Sequence, residues 1–173
     1  TRQPGSTFKI LASYSAALDA GGLTLASVQD DAPYTYAGAN GKSVSNYDKR
    51  YRGFTTLREA ITDSINIVTV KTLAQVGVSL GWQYVQEYGF TTVDSRDMNE
   101  ALALGGITQG VSNLELTAAY AAIANQGTYI KPKFYTKILD HDGNVLIDNT
   151  TPESHTVIKD TTAWLLTSAM EDV

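Results

Sequence analysis

The segment Pro4-Gly5-Ser6-Thr7-Phe8-Lys9 constrains this 173-residue chain more than any other. Proline fixes its own φ, and glycine reaches backbone conformations closed to other residues, so Pro4-Gly5 is a bend. The run that follows, Phe8 to Leu18, is rich in apolar residues. A helix therefore starts at the bend with Ser6 in its first turn, and Thr7 to Ala20 reads as a buried helix stopped by Gly21-Gly22. Residues three apart share a helix face, which brings the Lys9 amine within reach of the Ser6 hydroxyl. A serine hydroxyl is a weak nucleophile until a base sits beside it. A lysine becomes that base only when burial or a neighbouring cation lowers its pKa. Backbone N–H groups at a helix start can also stabilise an oxyanion. On its own, Ser-x-x-Lys also describes an N-cap serine followed by a solvated lysine.

A second motif shifts that balance. Ser64-Ile65-Asn66 falls between two helix-like stretches, Thr56 to Asp63 and Ile67 to Val76. Alone, it is a helix-to-helix turn in which Ser and Asn cap backbone groups. The chain holds one Ser-x-x-Lys and one Ser-x-Asn, in that order. The pair follows the signature of serine penicillin-binding proteins and class A β-lactamases, whose second motif is Ser-Asp-Asn. Ile65 in the middle position points away from the class A β-lactamases.

With these residues in view, the chain resembles the transpeptidase domain of class A (bifunctional) penicillin-binding proteins over nearly its whole length. Arg2 to Lys9 resembles the family's Arg-x-Pro-Gly-Ser-x-x-Lys block, and Gly53 to Ala60, leading into Ser64-Ile65-Asn66, resembles the approach to its second motif. Ala103-Leu104-Gly105-Gly106, Gly110 to Leu116, Ala118 to Ala121 and Ala124 to Pro132 resemble a further block. The family's third motif, Lys-Thr/Ser-Gly, does not occur: Lys71-Thr72 is followed by Leu73, and Lys42-Ser43 by Val44.

The resemblance implies that Ser6 forms an acyl-enzyme and that Lys9 is the acylating base. Ser64 would relay a proton to the leaving amine. Asn66 would hydrogen-bond the substrate amide and help hold Lys9, and the Ser6 N–H would form half of an oxyanion hole. Ser6, Ser64 and Asn66 would thus be the substrate-binding residues as well. The implied partners are a peptidoglycan stem peptide and β-lactams, with no cofactor and no metal. The implied parent is membrane-anchored, works with cell-wall synthesis proteins and acts on the extracytoplasmic face of the bacterial membrane.

The implied fold is α+β, predominantly α in this chain: the helical side of a penicillin-binding/serine β-lactamase-like transpeptidase fold. It carries one small β-hairpin, and most of the central antiparallel sheet is missing. The expected domain is a single partial transpeptidase domain, 1–173, truncated at both ends. Its activity would then be lost without the third-motif strand, and the helix face meant for the sheet would be exposed.

The remaining layout follows from local signals. Leu23 to Lys49 reads as loop. Thr56 to Glu87 reads as helix interrupted at Ser64–Asn66 and near Gly77. Thr91 to Glu100 is a connection, and Leu114 to Ala124 is a helix with Ser112 or Asn113 as N-cap and Gly127 as its stop. Tyr135 to Leu139 and Val145 to Ile147 read as strands joined at Asp142-Gly143, a strong hairpin signal. Thr161 to Met170 returns to helix.

Other sites fare worse. Gly105 to Gly110 lacks the Lys-Ser/Thr of a phosphate loop and reads as a structural turn. Asp140, Asp142 and Asn144 are better explained by the hairpin than by a calcium loop. His141 and His155 are isolated, and Asn149-Thr150-Thr151 is an incidental sequon. A net charge of −5 argues against nucleic acid as a partner. No cysteine is present, so disulfides and thiolate metal sites are out. Alternative functions are a serine β-lactamase or a non-catalytic β-lactam-sensing domain. No glutamate has Asn four residues on, as the deacylating Glu-x-x-x-Asn of class A would require.

Overall fold

A computed structural model describes residues 1–37 and 42–173. The part of the expected Leu23–Lys49 loop at 38–41 lies outside the described residues. The first helical run follows the expected course with an unexpected middle. A 3₁₀ turn at Gly5–Thr7 passes through a π-helical segment, Ile10–Tyr14, into α1, Ser15–Asp19. Every residue from Phe8 to Ala17 is buried. This rod is the axis of the core, because its side chains are apolar or find buried partners. Ser13 Oγ donates to Thr69 O at 2.9 Å, and Tyr14 Oη lies 2.8 Å from Thr69 Oγ1.

Three helices pack around it: α2 (Leu57–Thr62), α3 (Asn66–Val76) and α4 (Val78–Glu87). The breaks fall where the sequence places them. Thr56 caps α2 through a reciprocal capping box with Glu59. The helix α5, Asn113–Ala124, is capped by Ser112 in the same way, with Glu115 as its partner. The last helix, α6, is Asp160–Met170. The connection after α4 contains two 3₁₀ segments, Ser95–Asp97 and Glu100–Leu104.

The strands differ from expectation in number. The hairpin of β6 (Lys137–Leu139) and β7 (Val145–Asp148) forms as read, with a register shift at Ile138/Leu139. Three further antiparallel pairs occur. From the stretch read as loop, β1 (Val28–Asp31) pairs with β4 (Gly53–Thr56) just beyond it, and within it β2 (Tyr34–Thr35) pairs with β3 (Ser43–Val44). Past α5, β5 (Thr128–Ile130) pairs with β8 (Ser154–Thr156). Each sheet among the described residues has two strands, so the chain is predominantly helical, as the resemblance implies. A groove between α5 and α6 leaves Trp164 69% exposed beside Ala124 and Gln126.

Candidate active site

The Gly5–Thr7 turn is held from below by the segment Ala101–Val111. Backbone bonds of 2.9 Å run both ways between Arg2 and Val111. The Gln3 side chain accepts from Ile107 N at 2.9 Å and donates to Ile107 O. Gly5 takes φ +60°, and Gly105 lies directly against it: a Cβ on Gly105 would sit 2.5 Å from Gly5 O. The turn that begins at Gly105, read from sequence as structural, therefore acts as the seat of the serine-bearing bend. Phe8 locks the next residue of the rod by meeting the Phe90 ring edge-on, with centroids 5.0 Å apart.

Ser6 is exposed, whereas Lys9 is 3% exposed. Lys9 does not reach back to Ser6. Its Nζ donates to Ser64 Oγ at 2.9 Å and to Ser64 O at 2.5 Å. Burial lowers the Lys9 pKa to about 8. This is the desolvation penalty on an ammonium, and it leaves a fraction of the amine free of its proton near neutrality. Ser64 can present both oxygens to one amine because its backbone is left-handed, φ +52°, rare for a residue with a Cβ. Such strain persists only where the surroundings impose it, and it gathers at functional sites.

Asn66, expected to help hold Lys9, instead donates through Nδ2 to Ser45 O at 2.9 Å. It opens α3 two residues after Ser64. A cavity of about 310 Å³ joins Ser6, Lys9, Ser64 and Tyr120, and another of about 580 Å³ joins Ser6, Ser64, Asn66 and Asp63. The four residues singled out from sequence thus line adjoining cavities, with Ser6 and Ser64 common to both. A larger cavity, about 680 Å³, lies between α5 and α6 and contains no serine or lysine. The four residues line the smaller pair.

Two contributions went unread in the sequence. Tyr120 Oη donates to Thr7 O at 2.6 Å, tying α5 to the serine turn. Burial raises its pKa to about 12, so it remains a donor. Asn46 and its neighbours wall the polar cavity from a loop with no sequence signal of function. The Asp140 carboxylate accepts from Asp142 N, Asn144 N and Asn144 Nδ2, as a hairpin turn would have it. Among the described residues no helix is long and apolar enough to cross a membrane.

The family model for the penicillin-binding protein transpeptidase domain matches residues 1–173, and the chain belongs to that family. It is 39% identical over 172 residues to penicillin-binding protein 1F of Bacillus subtilis (strain 168), a match covering 99% of this chain and 23% of that protein. Penicillin-binding protein 1A from Haemophilus influenzae superposes with a TM-score of 0.81 at 28% identity, over 95% of this chain and 29% of that one. The PonA1 protein from Mycobacterium tuberculosis, solved in complex with penicillin V, gives a TM-score of 0.82 over 98% of this chain and 46% of that one. At 23% identity that likeness speaks for the fold alone. The chain spans less than a quarter of the length of the curated relatives it matches.

Proposed function

We propose that this chain is the helical part of a peptidoglycan D,D-transpeptidase domain and carries its nucleophile. The observation that supports this best is the Lys9 amine, its pKa lowered to about 8 by burial and bonded to Ser64 Oγ in a cavity that opens on Ser6. In this reading Ser6 Oγ attacks the carbonyl carbon of a peptide ending in D-Ala-D-Ala, and its proton passes to neutral Lys9. Ser64 Oγ hands a proton on to the leaving amine of D-Ala as the C–N bond breaks. An amine of a neighbouring stem peptide then attacks the Ser6 ester, forming the new amide and returning the proton to Ser6 Oγ. Asn66 binds the donor's amide.

β-Lactams, which carry a strained amide, would acylate Ser6 by the same route. The rest of the domain, including a Lys-Thr/Ser-Gly strand, would come from further polypeptide. The relatives' greater length supports this reading. Such a protein would work at the extracytoplasmic face of a bacterial membrane alongside other cell-wall synthesis proteins.

Intact-mass spectrometry after incubation with benzylpenicillin tests the reading, in this chain and in the longer protein that carries it. An adduct of one drug mass, absent from Ser6→Ala, is expected of the longer protein. No adduct there, or one that survives Ser6→Ala, would refute the assignment.

A further inference from the structure

We propose that Asp31 and Asn46 are positioning residues that set the side chain of Asn66 for an amide-bearing substrate. The proposal rests on the transpeptidase reading above. It starts from an unmet need at the start of α3. The first N–H groups of a helix lack partners within it. Ile65, the residue before α3, supplies no side-chain cap. The cap comes from 21 residues away: Asn46 Oδ1 accepts from Ile67 N at 3.2 Å.

The other end of the Asn46 amide is fully committed. Its Nδ2 donates to Asp31 Oδ1 at 2.8 Å, to Asp31 Oδ2 at 2.9 Å and to Arg50 O at 2.8 Å. Asp31 also accepts from Arg52 N at 2.9 Å. Asp31 is 0% exposed and Asn46 3% exposed. A flipped amide would set NH₂ against the Ile67 N–H and oxygen against a carboxylate and a carbonyl. The carboxylate therefore admits a single orientation.

That orientation is passed to the site by the adjacent residue. Ser45 O takes one Nδ2 hydrogen of Asn66 at 2.9 Å. Among the described residues the second hydrogen and Oδ1 meet no other partner, which leaves them for a substrate amide in the cavity Asn66 shares with Ser6 and Ser64. Asp31 is itself anchored, since it pairs with Gly53 in the β1–β4 ladder, and β4 leads through α2 to Ser64. One buried carboxylate thus braces both the loop before the second motif and the strand that leads to it.

The test compares two β-lactams on the longer protein that carries this chain. Benzylpenicillin has a side-chain amide for Asn66 to meet, and imipenem has a hydroxyethyl group in its place. Asp31→Asn is expected to slow acylation by benzylpenicillin roughly tenfold more than acylation by imipenem, the size of one misplaced hydrogen bond. Asn66→Ala is expected to discriminate in the same direction. Asp31→Glu keeps the charge, moves the carboxylate and is read in the same way if Asp31→Asn does not fold. Equal loss for both drugs, or no loss, in the Asp31 variant beside a discriminating Asn66→Ala would overturn the clamp alone. If Asn66→Ala itself fails to discriminate, the assignment of Asn66 falls with it.

Discussion

The serine turn and the β6–β7 hairpin are both small, exposed and built on a glycine-containing bend, yet their polar groups bond in opposite ways. Around the serine turn nearly every bond spans the chain. Lys9 reaches Ser64, Gln3 reaches Ile107 and Tyr120 reaches Thr7. In the hairpin they are local: Asp140 accepts from Asn144, and Asp148 from Thr150. Its strands are exposed throughout, Leu146 and Val145 included. The turn's shape is thus held by the whole fold, whereas the hairpin holds its own. A substitution near the turn should reach the chemistry, and one in the hairpin should stop where it is made.

Lys9→Met should separate the two regions most sharply. Without a base the Ser6 hydroxyl is left at its ordinary reactivity, and acylation by benzylpenicillin should fall by about a thousandfold or more. In the unaltered protein the acylation rate should climb as pH rises through about 8, as the amine loses its proton. A rate flat from pH 6 to 9 would contradict that role. The same depressed pKa has a stability consequence. Between about 8 and the ordinary 10.5 the unfolded chain binds more protons at Lys9 than the folded one. Stability should therefore rise with pH across that window, and the cost of burying the ammonium is fully present below it.

Gly105→Ala comes next. Its Cβ would collide with Gly5 O at a backbone φ of +71°. A loss of roughly 2–3 kcal/mol in denaturant unfolding is expected, with slowed acylation because the serine turn must shift. Tyr120→Phe removes one bond to Thr7 O and should cost about 1 kcal/mol and slow acylation severalfold. At the other extreme, Leu146→Ser in the hairpin should change stability by less than about 0.5 kcal/mol and leave acylation untouched. If Leu146→Ser slowed acylation as much as Tyr120→Phe, the contrast between the regions would collapse.

Legibility in the sequence follows the same divide. Features decided within a few residues were readable: the cap at Ser112, the helix start near Thr56, the Asp142-Gly143 hairpin and the break at Ser64–Asn66. The β1–β4 pair was not, because Val28-Gln29-Asp30-Asp31 has no apolar alternation and its partner lies more than 20 residues on. Nothing local marks Asp31 as buried; the amide that satisfies it belongs to Asn46, in a stretch read as loop. In the site, the spacing in Ser-x-x-Lys placed Lys9 beside Ser6, but the amine turned to Ser64 instead. Helix geometry gives a side chain's reach, whereas the choice among partners within reach depends on what the fold buries around it. Tyr120 lies 113 residues from Thr7 in sequence, and only assembly of α5 against the serine turn gives it a role.

The pairing of Arg2 with Val111 also has a consequence in time. A ribosome releases the serine turn first and the segment that seats it about a hundred residues later. At typical synthesis rates that is a wait of roughly 5–20 s. Through that interval the serine turn lacks the two backbone bonds that Val111 makes with Arg2. The bend at Gly5 therefore takes its final support late, from a segment made well after the residues it holds.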